Sequence, residues 1–251
     1  MGQAVSVACH IHSEWSYDAK WSLAALAAEF GRRGYRVLMM TEHDRGFTEE
    51  KWRAYQAACA AVSTLELLVV PGIEYSDPSN TIHVLVWGCG EFLGENLATA
   101  DLLRRVEQQG GAAVLAHPSR KGAWRLFDPD WASFLLGIEL WNRKTDGWAP
   151  SAPALALLEE TGLLRFAGLD FHDRRQFFPL VMQCRIRGEV SSDAVLSAFR
   201  TGQARAHALG WRVETLLNPA VSSALSTVER ARRSLAAAVR EFPRSRVRVR
   251  V

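Results

Sequence analysis

Six of the seven histidines of this 251-residue chain lie in its first 172 residues, and most of them follow a short apolar run. Three carboxylates occur in similar positions. Together these residues are His10, His12, Asp18, His43, Glu74, His83, His117, Asp170 and His172. Mixed imidazole and carboxylate ligands suit Zn, Mn or Fe. One His-x-His motif is weak support for a metal site, but nine such residues together predict one.

The apolar runs that precede these residues are typical of buried strands. They cover residues 5–9, 37–40, 67–71, 112–116 and 164–169. Helical patterns alternate with them, over residues 22–33, 49–62, 99–109 and 152–160. A turn at 77–80 predicts a hairpin-like connection, and 179–186 is the last predicted strand of this unit. Repeated strand–helix order predicts an α/β fold with a mostly parallel sheet, whose carboxyl edge would carry the metal site.

The length of 251 residues, with 48% hydrophobic and 23% charged residues, predicts one α/β domain with a well-buried core. We expect no membrane association, because no apolar run is long enough to cross a bilayer. A signal peptide is not expected either, since no basic segment precedes the first strand. The four cysteines form no CxxC motif, which predicts buried, reduced thiols and a cytoplasmic location.

The combined motifs resemble the PHP (polymerase and histidinol phosphatase) family over about residues 5–210. They are His10-x-His12 with Asp18, Thr41-Glu42-His43, Gly72-Ile73-Glu74, His83, Ala116-His117-Pro118 and Asp170-x-His172. The resemblance implies a distorted (β/α)7 TIM-like barrel with two or three divalent metal ions at the carboxyl ends of its strands. It assigns one ion to His10, His12, Glu74 and Asp170, a second to Glu74, His83 and His117, and a third to Asp18, His43 and His172. The family usually has Asp at the position of Glu42, and usually has Gly directly after the position of Asp18.

The C-terminal segment differs in charge from the rest of the chain. The net charge is +3, yet residues 229–251 contain eight arginines and two glutamates. The pattern predicts a helix from Asn218-Pro219 to about residue 241, and the alternation from Arg246 to Val251 predicts a terminal basic strand. We therefore divide the chain into a PHP-type barrel domain, residues 1–215, and a basic helical extension, residues 216–251. One interpretation is that the extension attracts polyanions such as nucleic acid. The alternative is a solvated helix followed by an edge strand. An unpaired edge strand could also pair with another copy of the chain.

Clustered divalent ions activate water and neutralise phosphoryl oxygens, so the ligand set predicts a metal-dependent phosphoesterase. Its predicted substrate is a phosphomonoester of a small molecule or a nucleotide. Asp44 is a candidate for orienting a ligand or protonating a leaving group, while Arg120 and Arg174 are candidates for binding phosphate. Arg143 and Lys144 follow another strand end and are further candidates. An ordinary surface position explains each of them as well.

Two other functions remain open at this level. One is a 3′–5′ exonuclease or phosphodiesterase that binds nucleic acid through the arginine-rich tail. The other is a non-enzymatic, metal-stabilised binding module, for which the unusual Glu42 is the only indication. Glu139 is expected near the floor of the cavity without being a ligand, and His207 is expected to be structural.

Overall fold

The computed structural model describes residues 2–241, which form two six-stranded sheets with helices packed against them. The strands are β1 (Gln3–Ile11), β2 (Val37–Met40), β3 (Glu42–His43), β4 (Leu68–Val70), β5 (Gly72–Ser76), β6 (His83–Trp87), β7 (Ala112–Leu115), β8 (Gly137–Asn142), β9 (Leu164–Gly168), β10 (Leu180–Ile186), β11 (Ala204–Ala208) and β12 (Trp211–Arg212). The helices are α1 (Leu23–Arg32), α2 (Glu49–Val62), α3 (Thr99–Gln108), α4 (Ala152–Thr161), α5 (Ser192–Arg200), α6 (Val213–Leu216) and α7 (Pro219–Glu241). The strand orders are β12-β11-β10-β1-β2-β4 and β3-β5-β6-β7-β8-β9.

Most predicted helices and strands are present within one or two residues of their expected bounds. The apolar run of residues 67–71 is an exception, because only Leu68–Val70 form a strand, β4, and Glu74 lies in a separate strand, β5, that begins after Pro71. Proline lacks the N–H that a continuous ladder requires. Strands β3, β5, β11 and β12 were not predicted, and the strand predicted for Arg246–Val251 lies outside the described residues.

The expectation of a mostly parallel sheet is wrong. Among the ten strand pairs formed by residues 2–241, five are antiparallel. The turn after β5 is too short for a crossover helix, so β6 must return antiparallel. Strand β10 pairs antiparallel with β1. Strands β11 and β12 extend the sheet beyond β10, and both of these pairings are antiparallel as well. The α/β class is confirmed, but the sheets are mixed.

Closure into a continuous barrel is not detected over residues 2–241. The two sheets meet where the chain after β9 approaches β1. There the Leu169 N–H donates to the Cys9 carbonyl at 2.9 Å, and the Phe171 N–H donates to the His10 carbonyl at 3.0 Å. The His12 N–H returns a bond to the Phe171 carbonyl at 3.0 Å. This seam brings the two ligand-bearing strand ends side by side.

The helices fix the central strands by burying apolar faces against them. In α1 the Ser22 hydroxyl caps the helix by accepting from the Ala25 N–H at 3.2 Å, and Leu26 and Phe30 are fully buried. Each such side chain contributes about 1.5–3 kcal/mol on burial. Every residue of β2 and β7 is buried, as expected for strands covered on both faces. The candidate site is thus carried by rigid elements.

Candidate metal centre

All nine predicted ligands converge at one edge of the fold. The ligands differ in their places along the strands: His10 and Glu74 lie within β1 and β5, whereas His83 is the first residue of β6. Strand β6 runs antiparallel to β5, and His83 pairs with Ser76 at the carboxyl end of β5. The first residue of an antiparallel strand therefore lies at the same edge of the sheet as the last residue of a neighbouring parallel strand.

Glu74 lies at the centre of the cluster and is 1% exposed. Its Oε1 lies 2.7 Å from His83 Nδ1 and 2.8 Å from His117 Nε2. Its Oε2 lies 3.4 Å from the Nε2 atoms of both His10 and His12. His43 Nδ1 lies 3.2 Å from the same Oε2. One carboxylate thus faces five imidazoles, an arrangement suited to bridging two cations.

In the described part of the chain, four groups of three side chains place their ligand atoms within 4.8 Å of one another. The groups are His10, His12 and Glu74; His10, His117 and Asp170; Glu74, His83 and His117; and His12, His43 and His172. Asp18 completes the set, since its carboxylate lies 3.1 Å from His172 Nε2 and 3.4 Å from His43 Nε2. The loop folds Asp18 over the site without the glycine that usually follows it. These overlapping groups are consistent with a multi-metal site.

The histidine nitrogens are arranged as metal ligands require. Within the described residues, the buried Nε2 atoms of His10 and His12 have no hydrogen-bond partner, whereas their Nδ1 atoms do. His10 Nδ1 donates to Glu139 Oε1 at 2.8 Å. His12 Nδ1 lies 3.3 Å from Ser16 Oγ, whose own proton goes to the Glu42 carboxylate. Each Nδ1 proton is therefore held by a neighbour, so Nε2 is the nitrogen that would bind a cation.

The charges of the site also fit bound cations. Burial would raise the pKa of Glu74, but His10 and His83 hold it well below its usual range. Asp170 has its pKa lowered to about 2, against the effect of burial, by His10 and Lys144. Burial would lower the pKa of His10, yet the carboxylates of Glu139, Asp170 and Glu74 raise it well above its usual value. Ionised carboxylates this deeply buried need compensating positive charge, which divalent ions would provide.

Three candidate ligands adopt a left-handed backbone conformation that non-glycine residues rarely take. The φ angles are 60° at His10, 26° at His117 and 50° at Asp170. Such conformations cost roughly 1–3 kcal/mol each and occur at functional sites. At His10 the strain coincides with a register shift of β1 between Cys9 and Ile11. This bulge, rather than regular strand alternation, places the His10 and His12 ring centroids 5.2 Å apart.

Glu139 supports the cluster from below and is fully buried. In addition to His10, it accepts from the His117 N–H at 2.8 Å and from Asn142 Nδ2 at 2.9 Å, both through Oε2. It lies at the expected floor position and belongs to none of the four groups found over residues 2–241. Beside it, a Cβ on Gly168 would collide with the Glu139 carboxylate and lie 2.9 Å from His10 Cβ. Gly168 belongs to no recognisable motif, so its role could not be predicted from the sequence.

We expect Glu139→Gln to weaken metal affinity about 10–100-fold, the usual cost of losing a partner that orients a ligating histidine. The amide keeps the shape of the side chain but removes the charge opposite His10 Nδ1. Competition with a chromogenic chelator would measure the change. Glu159→Gln, on the exposed face of α4, is the matched control. Equal affinities in the two variants would contradict a supporting role for Glu139.

Glu42 anchors the loop that carries Asp18. Its carboxylate accepts from the Ser13 N–H at 3.0 Å, from Ser13 Oγ at 2.6 Å and from Ser16 Oγ at 2.5 Å. Burial raises its pKa, and these hydrogen bonds oppose the increase. Ser16 Oγ in turn accepts from the His43 N–H at 3.0 Å. The longer carboxylate is therefore accommodated by two serines and does not disturb the cluster.

The other predicted functional residues lie at different distances from the cluster. Arg120 Nη1 lies 3.0 Å from His83 Nε2, at the rim. Asp44 is buried beside β5, where its Oδ2 accepts from the Ser76 N–H at 3.3 Å, and burial raises its pKa to about 6. Arg174 lies over the Trp21 ring, 5.4 Å from its centroid, and makes no hydrogen bond to the cluster over residues 2–241.

Lys144 contacts two of the predicted ligands. Its Nζ lies 3.2 Å from Asp170 Oδ1 and 3.1 Å from His172 Nε2. The side chain is 40% exposed, so its ammonium faces both the cluster and solvent. His207, in contrast, lies half-buried on β11 and belongs to none of the metal-binding groups in the described part of the chain. The four cysteines are buried and free, as predicted.

Comparison with solved structures identifies the fold. A two-domain protein from Bacteroides vulgatus that contains a predicted PHP-like metal-dependent phosphoesterase matches with a TM-score of 0.66 and 16% identity, over 82% of this chain and 65% of that one. PsfC from Pseudomonas syringae matches with a TM-score of 0.61 and 14% identity, over 93% and 99% of the two chains. A lesion-specific endonuclease from Pyrococcus furiosus matches with a TM-score of 0.59 and 12% identity, over 81% and 58%.

These likenesses confirm the PHP resemblance at the level of the fold. The chain spans less than two thirds of the length of the Bacteroides and Pyrococcus proteins. No protein-family model matches the sequence, and no curated protein matches it. Among the helices of residues 2–241, none combines the length and apolar character needed to cross a bilayer.

Proposed function

We propose that the protein is a metal-dependent phosphoesterase that hydrolyses a phosphomonoester of a small molecule or a nucleotide. The observation that carries the proposal is the convergence of nine imidazole and carboxylate side chains around Glu74. The fold shared with a PHP-like phosphoesterase supports it. We also propose that the two sheets correspond to a distorted (β/α)7 barrel, which the hydrogen bonds between the ends of β9 and β1 support. The buried, free cysteines favour a reducing compartment such as the cytoplasm.

Two or three divalent ions would be held by the clustered side chains. His10, His12, Glu74 and Asp170 would hold the first, Glu74, His83 and His117 the second, and Asp18, His43 and His172 the third. When bound, such ions supply a nucleophilic water near neutral pH and neutralise phosphoryl oxygens. The choice among Zn, Mn and Fe does not follow from these ligands.

The remaining groups would bind and orient the substrate. The Arg120 guanidinium, at the His83 side of the cluster, would donate to phosphoryl oxygens. Asp44 lies on the same side, next to Ser76, and would deliver a proton from its carboxyl group to the leaving oxygen. Arg174 would reach a larger substrate only by leaving Trp21. Glu139 would keep the Nδ1 proton of His10 in place.

The test is phosphate release by the purified protein reconstituted with Mn²⁺ or with Zn²⁺. A panel of phosphomonoesters, including nucleotides, should reveal at least one substrate whose turnover is abolished by a chelator and by His10→Ala. The Glu159→Gln variant should behave as the wild type. Absence of phosphate release from every ester by the metal-loaded protein, or turnover that His10→Ala leaves unchanged, would refute the proposal. Metal binding without any turnover would favour the non-enzymatic binding module.

A nuclease or phosphodiesterase is the second candidate, because the fold is similar to that of a lesion-specific endonuclease and the C-terminus is arginine-rich. Removing residues 242–251 deletes four arginines and leaves α7 complete. If the tail binds nucleic acid, this truncation should weaken oligonucleotide binding and reduce its dependence on salt concentration. If oligonucleotide binding is the same with and without residues 242–251 and does not depend on salt concentration, the tail has another role.

A further inference from the structure

Helix α7 is joined to the candidate site through a buried carboxylate. Glu229 is 5% exposed, although it lies on an otherwise mostly exposed helix. Its Oε1 accepts from Arg232 Nη2 and Arg233 Nε, both at 2.6 Å, and its Oε2 accepts from Arg232 Nε at 2.7 Å. The same Oε2 accepts from the Trp148 N–H at 3.1 Å. The carboxylate thus links α7 to the turn that follows β8.

The turn after β8 is built to receive this carboxylate. Gly147 has a φ of 79°, and a Cβ at that position would overlap the Glu229 carboxylate. Arg233 adds two bonds to the turn, from Nη2 to the Thr145 carbonyl at 2.9 Å and to the Asp146 carbonyl at 3.0 Å. Helix α7 therefore holds the backbone directly after Lys144 by three hydrogen bonds.

The other side of the turn is fixed by the sheet. Asn142 Oδ1 accepts from the Thr145 N–H at 2.9 Å, and Asn142 Nδ2 donates to Glu139 at the cluster floor. The Asp146 carboxylate accepts from the Asn142 N–H at 2.8 Å. Lys144 lies between these two anchored sides. Its position 3.2 Å from Asp170 Oδ1 is therefore set by α7 and β8 together.

We infer that Lys144 binds the anionic group of the substrate and that Glu229 and Arg233 of α7 are positioning residues for it. This inference rests on the proposed function. Lys144 offers a partly exposed ammonium beside two predicted ligands, where a phosphoryl oxygen would receive a charge-assisted hydrogen bond. Glu229 and Arg233 do not reach that position themselves. They act through the turn from Thr145 to Trp148.

The experiment compares Lys144→Met, Glu229→Gln, Arg233→Gln and the double variant Lys144→Met/Glu229→Gln in the full-length, metal-loaded protein. Steady-state kinetics with a phosphomonoester substrate and calorimetric titration with inorganic phosphate give two independent readouts. Loss of one charged hydrogen bond should raise the KM and the phosphate Kd of Lys144→Met about tenfold or more. Glu229→Gln and Arg233→Gln should raise both constants severalfold, with a smaller effect on kcat and no change in bound metal. Arg230→Gln is the control, since the exposed Arg230 side chain donates to Thr227 Oγ1 on α7 itself and makes no hydrogen bond to the turn after β8 over residues 2–241.

The double variant separates positioning from general stabilisation. If Glu229 acts through Lys144, Glu229→Gln will add little to KM in the Lys144→Met background. Equal effects of Glu229→Gln in both backgrounds, or unchanged KM and phosphate Kd in the single variants of an active protein, would overturn the inference and leave the proposed function intact. A wild-type protein that neither turns over any ester nor binds phosphate would overturn both. Arg233→Gln keeps the test decisive if Glu229→Gln does not fold, because the Arg233 side chain is half exposed.

Discussion

Replacing Glu74 with glutamine is expected to reduce kcat/KM by about 10³-fold or more, since loss of a single group that stabilises developing charge already costs 10²–10³-fold. The expectation follows from the central place of this carboxylate, which faces five imidazoles from within a fully buried site. An amide keeps the volume and removes the charge that two cations would share. The variant should therefore lose bound metal as well as activity.

Metal content and thermal stability would report the same change without an activity assay. A ligand that binds the native state stabilises it by RT ln(1 + L/Kd), where L is the free ligand concentration, so the Tm rises with ligand concentration and with affinity. Adding Mn²⁺ or Zn²⁺ should raise the Tm of the wild type and of Glu159→Gln, but raise that of Glu74→Gln much less. A Glu74→Gln variant with a normal metal content and a normal metal-dependent Tm would rule out the bridging role.

Gly168→Ala is expected to cost about 1–3 kcal/mol of folding free energy, the usual penalty for adding a methyl group to a closely packed interior. The new Cβ would meet the Glu139 carboxylate and His10 Cβ, both of which are fully buried. Neither neighbour can move freely, because Glu139 also holds the His117 N–H. The substitution should thus weaken metal affinity together with stability.

Gly31→Ala is the matched control for this substitution. A Cβ on Gly31 would have only Leu67 Cδ2 near it, at 3.9 Å, and the residue lies within α1. Glycine in a helix is less favourable than alanine by roughly 0.5–1 kcal/mol, so this variant should gain stability. Chemical denaturation with and without metal would measure both variants. If Gly168→Ala matches Gly31→Ala in stability and metal affinity, the packing of β9 against Glu139 does not constrain the site.

The sequence by itself determined the residue types of the site and the α/β class. A short apolar run predicts a strand that is buried on both faces, because its side chains are removed from water while its backbone is hydrogen-bonded within the sheet. A ligand that follows such a run is therefore expected at the edge of the sheet. That reasoning, together with the combined motifs of the family that the sequence resembles, reached all nine clustered residues, including Asp18 in the loop after β1 and His83 at the start of β6. It also predicted α7, whose start at Pro219 follows from the tolerance of proline in the first turn of a helix.

Only the tertiary structure decided how those residues meet. The antiparallel direction of β6, which delivers His83, depends on pairing partners that local periodicity does not encode. The bulge at His10 lies in the pairing of β1 with β2, and the tight packing beside Gly168 of β9 involves Glu139 of β8 and His10 of β1, which is far away in the sequence. The link from Glu229 to the turn after β8 spans 81 residues. Such contacts depend on three-dimensional packing and on charges brought together by folding, so no local pattern in the sequence predicts them.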